Sequence, residues 1–265
     1  MRLARCVVRG VAIVFAGMCS PLGAGEAPAL TYESFEPPQR CTACHKEIVQ
    51  EWRQSLMAQS FTHPWDEQEY FKLALPHALK LKEVAGVKAG CISCHAPLAY
   101  LTGDIPPKPV AAETRANEGV SCDVCHSITG TTEEEPFNGS YTAEVDGSKT
   151  GLYPDAKSSR HPIKVAEFLG SPKLCATCHD EQSPYGAWVK ETYREWKAGP
   201  YAKEGVRCQD CHMYAAPGKA AVGGKERPRV ARHTFHGSQV PRKLAGAVYL
   251  ALYADKASAE PGDDI

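Results

Sequence analysis

The stretch Gly119–Gly130, "GVSCDVCHSITG", places two cysteines two residues apart and runs the second straight into His126. A zinc ribbon uses CxxC pairs and a thioredoxin-like enzyme uses one, but neither needs a histidine immediately after. Covalent haem does: two thiols bond the vinyl groups and the next residue's imidazole becomes the proximal iron ligand. Four further copies repeat the arrangement: "CTACH" (41–45), "CISCH" (91–95), "CATCH" (175–179) and "CQDCH" (208–212), beside "CDVCH" (122–126). Together they take ten of the twelve cysteines and leave no unmatched CxxC pair. The expected cofactor is therefore haem c, five groups, held by Cys41, Cys44, Cys91, Cys94, Cys122, Cys125, Cys175, Cys178, Cys208 and Cys211. His45, His95, His126, His179 and His212 are the expected proximal ligands.

The rest of the chain is compatible with that reading. It has 265 residues and a formal net charge of −1, which excludes the basic footprint of a nucleic-acid binder and provides no strong steering field. A mature chain of about 240 residues would have fewer than ~50 residues per haem, and the porphyrins themselves would supply much of the apolar core. Residues 1–25 read as a cleaved export signal: Arg2, Arg5 and Arg9, then an apolar run Val11–Met18, then small residues near Gly23–Gly25. Cleavage at Ala27-Pro28-Ala29 and a lipoprotein reading through Cys19 are the other options. Export agrees with haem attachment outside the cytoplasmic membrane, so the expected location is periplasmic or extracellular. Removal of the signal also removes Cys6 and Cys19. No later segment is apolar enough to span a bilayer.

The motifs begin at 41, 91, 122, 175 and 208, a long-short-long-short rhythm that suggests paired haems. A partial duplication sets "CTACHKEIVQEWRQSLMA" (41–58) beside "CATCHDEQ" (175–182) with "EWKAGPYA" (195–202). Trp52 then matches Trp196, Ser55 matches Gly199 and Ala58 matches Ala202, with ten residues inserted in the second copy. A tryptophan at a fixed offset reads equally as a wall against a porphyrin or as an ordinary core residue.

Apolar periodicity predicts helices over "HKEIVQEWRQSLMAQSF" (45–61), over "GAWVKETYREWKAG" (186–199), and over "EYFKLALPHALKLKEVAG" (69–86) with a break at Pro76. Residues 128–157 read as loop with a short hairpin, and "APGKAAVGGKERPR" (216–229) as a flexible connection. The fold class expected is mainly α: short helices and loops wrapped around five covalent haems, with little β structure. The expected divisions are a signal peptide (1–25), a pentahaem domain (26–240) and a C-terminal tail (241–265). The tail's β-prone run Val248–Tyr253 suits the first strand of an incomplete β-domain.

Five histidines lie outside the motifs. His161 and His233 lead as distal ligands, followed by His63 and His77. His236 competes with His233, and Met57 is the soft alternative; Met213, next to His212, is badly placed for its own haem. Glu133–Glu135 and Asp263–Asp264 read as solvated runs, and no nucleophile constellation or phosphate loop occurs, so no catalytic residue is assigned.

"CTACHKEIVQEWRQSLMAQSF", "GVSCDVCHSI", and "EWKAGPYAKEGVRCQDCHM" followed by "RHTFHG" resemble the exported multihaem cytochromes related to cytochrome c-554. That family includes the electron acceptor of hydroxylamine oxidoreductase. The resemblance spans residues 41–237 and implies closely stacked, chiefly bis-histidine haems in a helical shell. Family members often carry Trp-x-x-Ser-x-His-Ala with the histidine as distal ligand; this chain has Met57 in that place. Some relatives continue into a C-terminal β-domain. The function expected is electron transfer between other redox proteins, in a monomer or a homo- or hetero-oligomer. The competing readings are a multihaem oxidoreductase with one open haem, acting on a small nitrogen or sulfur compound, and a subunit of a larger haem conduit.

Overall fold

A computed structural model describes residues 29–247 together with 251, 253, 258 and 260–262. The expected signal peptide and most of the Val248–Tyr253 run lie outside the described residues. None of the described helices is long and apolar enough to cross a membrane.

Every CxxCH motif makes a helical turn of its own. The first turn follows Pro38–Cys41 and leads into helix Lys46–Arg53; the others lie in Val87–His95, Cys122–Cys125, Pro172–His179 and Cys208–His212. Helical spacing puts positions 1, 4 and 5 of the motif on one face, so two thiols and an imidazole project together. The backbone bonds His45 N to Cys41 O and His126 N to Cys122 O, both 2.9 Å, close that turn in the first and third motifs. Pro172 at the start of its helix and the Ser171 cap fix where the fourth motif begins.

Between and after these turns, the described residues form eight short strands in four two-stranded ladders. β1 (Ile128–Thr131) pairs antiparallel with β2 (Tyr141–Ala143), and β3 (Lys149–Gly151) pairs parallel with β4 (Ile163–Val165). β5 (Asp180–Gln182) pairs with β6 (Trp188–Glu191), and β7 (Ala215–Lys219) with β8 (Glu226–Ala231), both antiparallel. The mainly helical, loop-rich class with small sheets holds.

Four local expectations change, the first being that the helix expected over 45–61 stops at Arg53 and the remainder runs in turns. The helix expected over 186–199 begins only at Thr192, because Trp188–Glu191 takes the ladder opposite Asp180–Gln182. Asp180 then accepts from Tyr193 N at 2.7 Å and holds the new helix start. The supposed flexible connection 216–229 is the β7–β8 hairpin; its Gly and Pro mark a bulge and a tip, not free chain. Pro76 does not break its segment. A π-helical stretch, Glu69–Ala74, runs into helix Leu75–Lys80, and Pro76 falls at the start of the latter, where its missing N–H matters least.

Two apolar clusters pack the amino-terminal half. Phe61, Tyr70, Ile92, Ala96, Ala99 and Ala116 form one, around the second motif's helix. Phe35, Leu98 and Val124 form the other, behind the third motif. Both are small for a chain of this length, which leaves room for bulky apolar groups to complete the interior.

Candidate haem sites

The local motif cannot say which attachment sites meet; the fold does. Cys41 and Cys122 interact through their thiols, which joins motif 1 to motif 3. Cys94 meets Cys178, joining motifs 2 and 4, and Cys175 meets Cys208, joining motifs 4 and 5. Motif 4 therefore has two direct neighbours, and Cys125 of motif 3 is close enough to influence both its cysteines. Tyr141 stands at this junction. It is buried, donates to Ser93 O at 2.8 Å, and has its phenol pKa pushed up by burial first and then by Cys178 and Cys94. None of the ten described cysteines forms a disulfide, and among the described residues no group of three or more His, Cys, Asp or Glu is arranged to hold a metal ion. The convergence a tetrahedral zinc site requires is not built.

The imidazoles carry the more telling geometry. His45 Nδ1 is 2.7 Å from Ala220 O, His95 Nδ1 2.8 Å from Ser60 O, His126 Nδ1 2.7 Å from Thr150 O and His212 Nδ1 2.6 Å from His236 O. A carbonyl oxygen only accepts, so each Nδ1 carries the proton and each Nε2 keeps its lone pair. That is the tautomer and fixed orientation a ligating histidine needs. His179 is exposed and has no such bond among the described residues. The two thiols and oriented imidazole of the other four motifs fit a covalently attached haem.

The partners of those rings explain the surrounding fold. Ser60 receives His95 Nδ1 on its carbonyl and donates its hydroxyl to His95 O at 2.8 Å, while Val120 N donates to its Oγ at 3.2 Å. It thus couples motif 2 to the segment leading into motif 3. Ala220 belongs to the tip of the β7–β8 hairpin, and Val222 N donates to Cys44 O at 2.8 Å, so the hairpin misread as a linker closes over motif 1. These carbonyls were invisible to motif reading, since nothing in a residue's type marks its backbone oxygen as an acceptor.

The expected distal ligands separate. His233 lies beside motifs 1 and 3: its ring stacks on His126 with centroids 6.3 Å apart and planes 25° apart. Its Nδ1 points at Ala231 O, 3.1 Å away, leaving Nε2 free. Burial first, and then His126, pulls its pKa down to about 4, so it is neutral at pH 7. Glu51 fixes its backbone, accepting from His233 N at 2.8 Å while pairing with Arg232. His63 comes next to motif 2, sharing Asp66 with His95 at 3.5 and 3.4 Å. His161 lies at the head of β4, with Nδ1 3.1 Å from Pro162 O; β4 pairs with β3, which carries Thr150. His77 is exposed on Leu75–Lys80. Met57 is half-buried, and its carbonyl accepts from Val120 N at 3.0 Å. His236 does not duplicate His233: its carbonyl holds His212, and its ring lies 5.7 Å from Tyr214.

The matched tryptophans also find a definite role. Trp52 Nε1 donates to Val120 O at 2.8 Å and Trp196 Nε1 to Val206 O at 2.8 Å. Both valines stand two residues before a motif, in "GVSC" and "GVRC", and both follow a glycine of positive φ, Gly119 at 58° and Gly205 at 74°. Both downstream histidines bond the carbonyl 24 residues later, past an antiparallel hairpin. Gln209 bonds Leu169 O and Ser171 O, just ahead of motif 4, as Asp123 bonds Glu36 N, just ahead of motif 1. The duplication thus extends well beyond the tryptophan segment: motifs 1 and 3 form one unit, motifs 4 and 5 a second, and motif 2 lies in a segment that only the first unit contains.

With this geometry in hand, comparison with known proteins gives a consistent result. Residues 40–127 match the family model "Cytochrome c554 and c-prime". A crystal structure of a penta-haem cytochrome c552 from Thermochromatium tepidum shares the fold, with a TM-score of 0.58 at 20% identity over 84% of this chain. The chain spans 63% of the length of that structure. No protein of curated function matches the chain. Over residues 40–127 the chain is thus similar to the cytochrome c554 and c-prime family, and its fold is that of a penta-haem cytochrome.

Proposed function

We propose that the protein is an exported electron carrier holding five covalent haems c, one on each CxxCH motif. The observation that carries the reading is the convergence of attachment sites: thiols of motifs 1 and 3, 2 and 4, and 4 and 5 lie close enough to interact. Bound haem c supplies a one-electron iron couple whose potential the protein sets through ligands, burial and hydrogen bonds. The chain's own part is to hold these groups within a few ångströms of one another and to fix each proximal imidazole. Cys41, Cys44, Cys91, Cys94, Cys122, Cys125, Cys175, Cys178, Cys208 and Cys211 anchor the groups, and His45, His95, His126, His179 and His212 are the proximal ligands. The bonds from Nδ1 to Ala220, Ser60, Thr150 and His236 keep Nε2 of four of them available and raise its basicity.

On the distal side, His233 is the best-placed ligand, for the pair on motifs 1 and 3, and His63 serves the neighbourhood of motif 2. His161, His77 and Met57 complete the candidate set. Motif 5 faces outward, with Cys211 and His212 exposed, and is the natural exchange point with a redox partner. Such a carrier works in the periplasm or outside the cell, between a donor and an acceptor protein.

The test is an electron paramagnetic resonance spectrum of the oxidised holoprotein, with its haem content measured by intact mass. Five haems and only low-spin signals are expected. A stoichiometric high-spin signal that shifts on adding nitrite or hydroxylamine would replace the carrier with the oxidoreductase reading.

A further inference from the structure

We infer that Trp52 and Trp196 are equivalent positioning residues, each fixing through its indole N–H the separation of the two attachment sites in one haem pair. The inference rests on the reading of motifs 1, 3, 4 and 5 as haem sites. Trp52 lies on the helix that follows motif 1, and its N–H reaches the carbonyl two residues before motif 3. Trp196 lies on the helix that follows motif 4, and reaches the carbonyl two residues before motif 5. Each bond therefore spans the two members of a pair whose first cysteines, Cys41 with Cys122 and Cys175 with Cys208, lie close enough to interact.

Simple core packing does not account for the match. Trp52 is 8% exposed, whereas Trp196 is half-buried and stacks on Tyr193 at 5.5 Å. Their apolar surroundings differ, yet the bond length, the donor atom and the acceptor's place before the motif are the same. What the two settings share is the directional contact. The extended residue after each valine, Ser121 at φ −82°, ψ 168° and Arg207 at φ −91°, ψ 163°, then carries the chain into the motif helix. A shift at the valine carbonyl is thereby passed to the helix that bears both thiols and the imidazole.

The experiment uses the exported holoprotein and the variants Trp52→Phe and Trp196→Phe, with the shape-matched analogue benzothienylalanine, which lacks the N–H, at each site. Intact mass comes first: loss of haem from the wild-type chain at these motifs would overturn the haem assignment itself, separately from the tryptophan role. With five haems retained, Soret circular dichroism of the reduced protein reads the coupling between neighbouring haems. Each substitution should weaken the split signal, and the double variant should weaken it further. Benzothienylalanine should act like phenylalanine; if it acts like tryptophan, or if the splitting is unchanged in both single variants, the inference fails. Should a variant not accumulate, hydrogen exchange on the reduced wild-type protein decides. The indole protons of Trp52 and Trp196 should exchange at least about tenfold more slowly than that of the 72% exposed Trp65. Equal rates would overturn the inference.

Discussion

The unit of motifs 1 and 3 and the unit of motifs 4 and 5 share one plan but differ in how tightly it is built. In the first, the histidine of the downstream motif, His126, is packed against His233, and the carboxylate next to Cys122 is buried. Asp123, 2% exposed, pairs with Lys149 at 2.5 Å. In the second, His212 is exposed and the carboxylate of its motif, Asp210, pairs with Arg207 near the surface at 3.0 Å. The glycines before the two valines differ likewise. A Cβ at Gly119 would sit 2.7 Å from Met57 O and 2.8 Å from Ser60 Oγ, whereas at Gly205 it would meet nothing within 4 Å. The first unit is wedged between the motif 2 segment and the β7–β8 hairpin; the second has solvent on one side. The same local sequence thus serves an interior pair and an outward-facing pair, and the difference lies in what packs against it.

The largest expected break in that comparison is Asp123→Ala. It strands Lys149 in a mostly buried place and removes the acceptor for Glu36 N, which should cost about 3–5 kcal/mol. Asp210→Ala, with a partly solvated partner, should cost less than about 1 kcal/mol. Guanidinium midpoints of the two holoproteins check the contrast, and equal shifts would erase it. Next comes Gly119→Ala, which combines positive φ with a backbone collision and should cost about 3 kcal/mol. Gly205→Ala carries only the conformational penalty, about 1 kcal/mol.

Glu51→Gln sharpens the comparison within the first unit. It keeps an acceptor for His233 N but loses the charge facing Arg232, and a drop of about 1–3 kcal/mol in stability is expected. A shift in the low-spin signals should accompany it, since the side chain at position 51, no longer fixed by the charge of Arg232, holds His233 less firmly.

The smallest effect concerns pH. Asp155 bonds Lys225 and Arg227, and Arg227 stacks on Tyr153 at 3.9 Å, tying the β7–β8 hairpin to the loop after β3. Those two cations hold its carboxyl down at about 2. Because the folded value is depressed, this contribution is complete above the ordinary carboxylate range and is lost as pH falls through that range toward 2. Asp155→Asn should flatten the acid limb of a stability–pH curve there and leave pH 7 behaviour nearly unchanged.

The fifteen candidate attachment residues are legible in the sequence because a CxxCH turn is self-contained: three side chains share one helical face and need nothing from the rest of the fold. It also matched Trp52 to Trp196. It did not find that the match continues through "GVSC" and "GVRC", although the signal was there in the valine two residues before each motif and in the equal 24-residue spans beyond the histidines. The hairpin at 215–231 was hidden by its glycines and prolines, which read as linker until a pairing partner is known. Likewise the run at Trp188 has helical periodicity, but Asp180–Gln182 claims it for a ladder. In each case tertiary pairing decided between two locally acceptable structures. The carbonyls that orient the imidazoles carry no residue signature, and only the fold reveals them.

The central claim, that the motifs are brought together as 1 with 3, 4 with 5 and 2 with 4, is tested most directly by locating iron in crystals of the holoprotein from its anomalous scattering. Five iron sites are predicted, with those of motifs 1 and 3, of 4 and 5, and of 2 and 4 as nearest neighbours. Fewer than five sites, or motif 1 iron lying closer to motif 2 than to motif 3, would contradict the account.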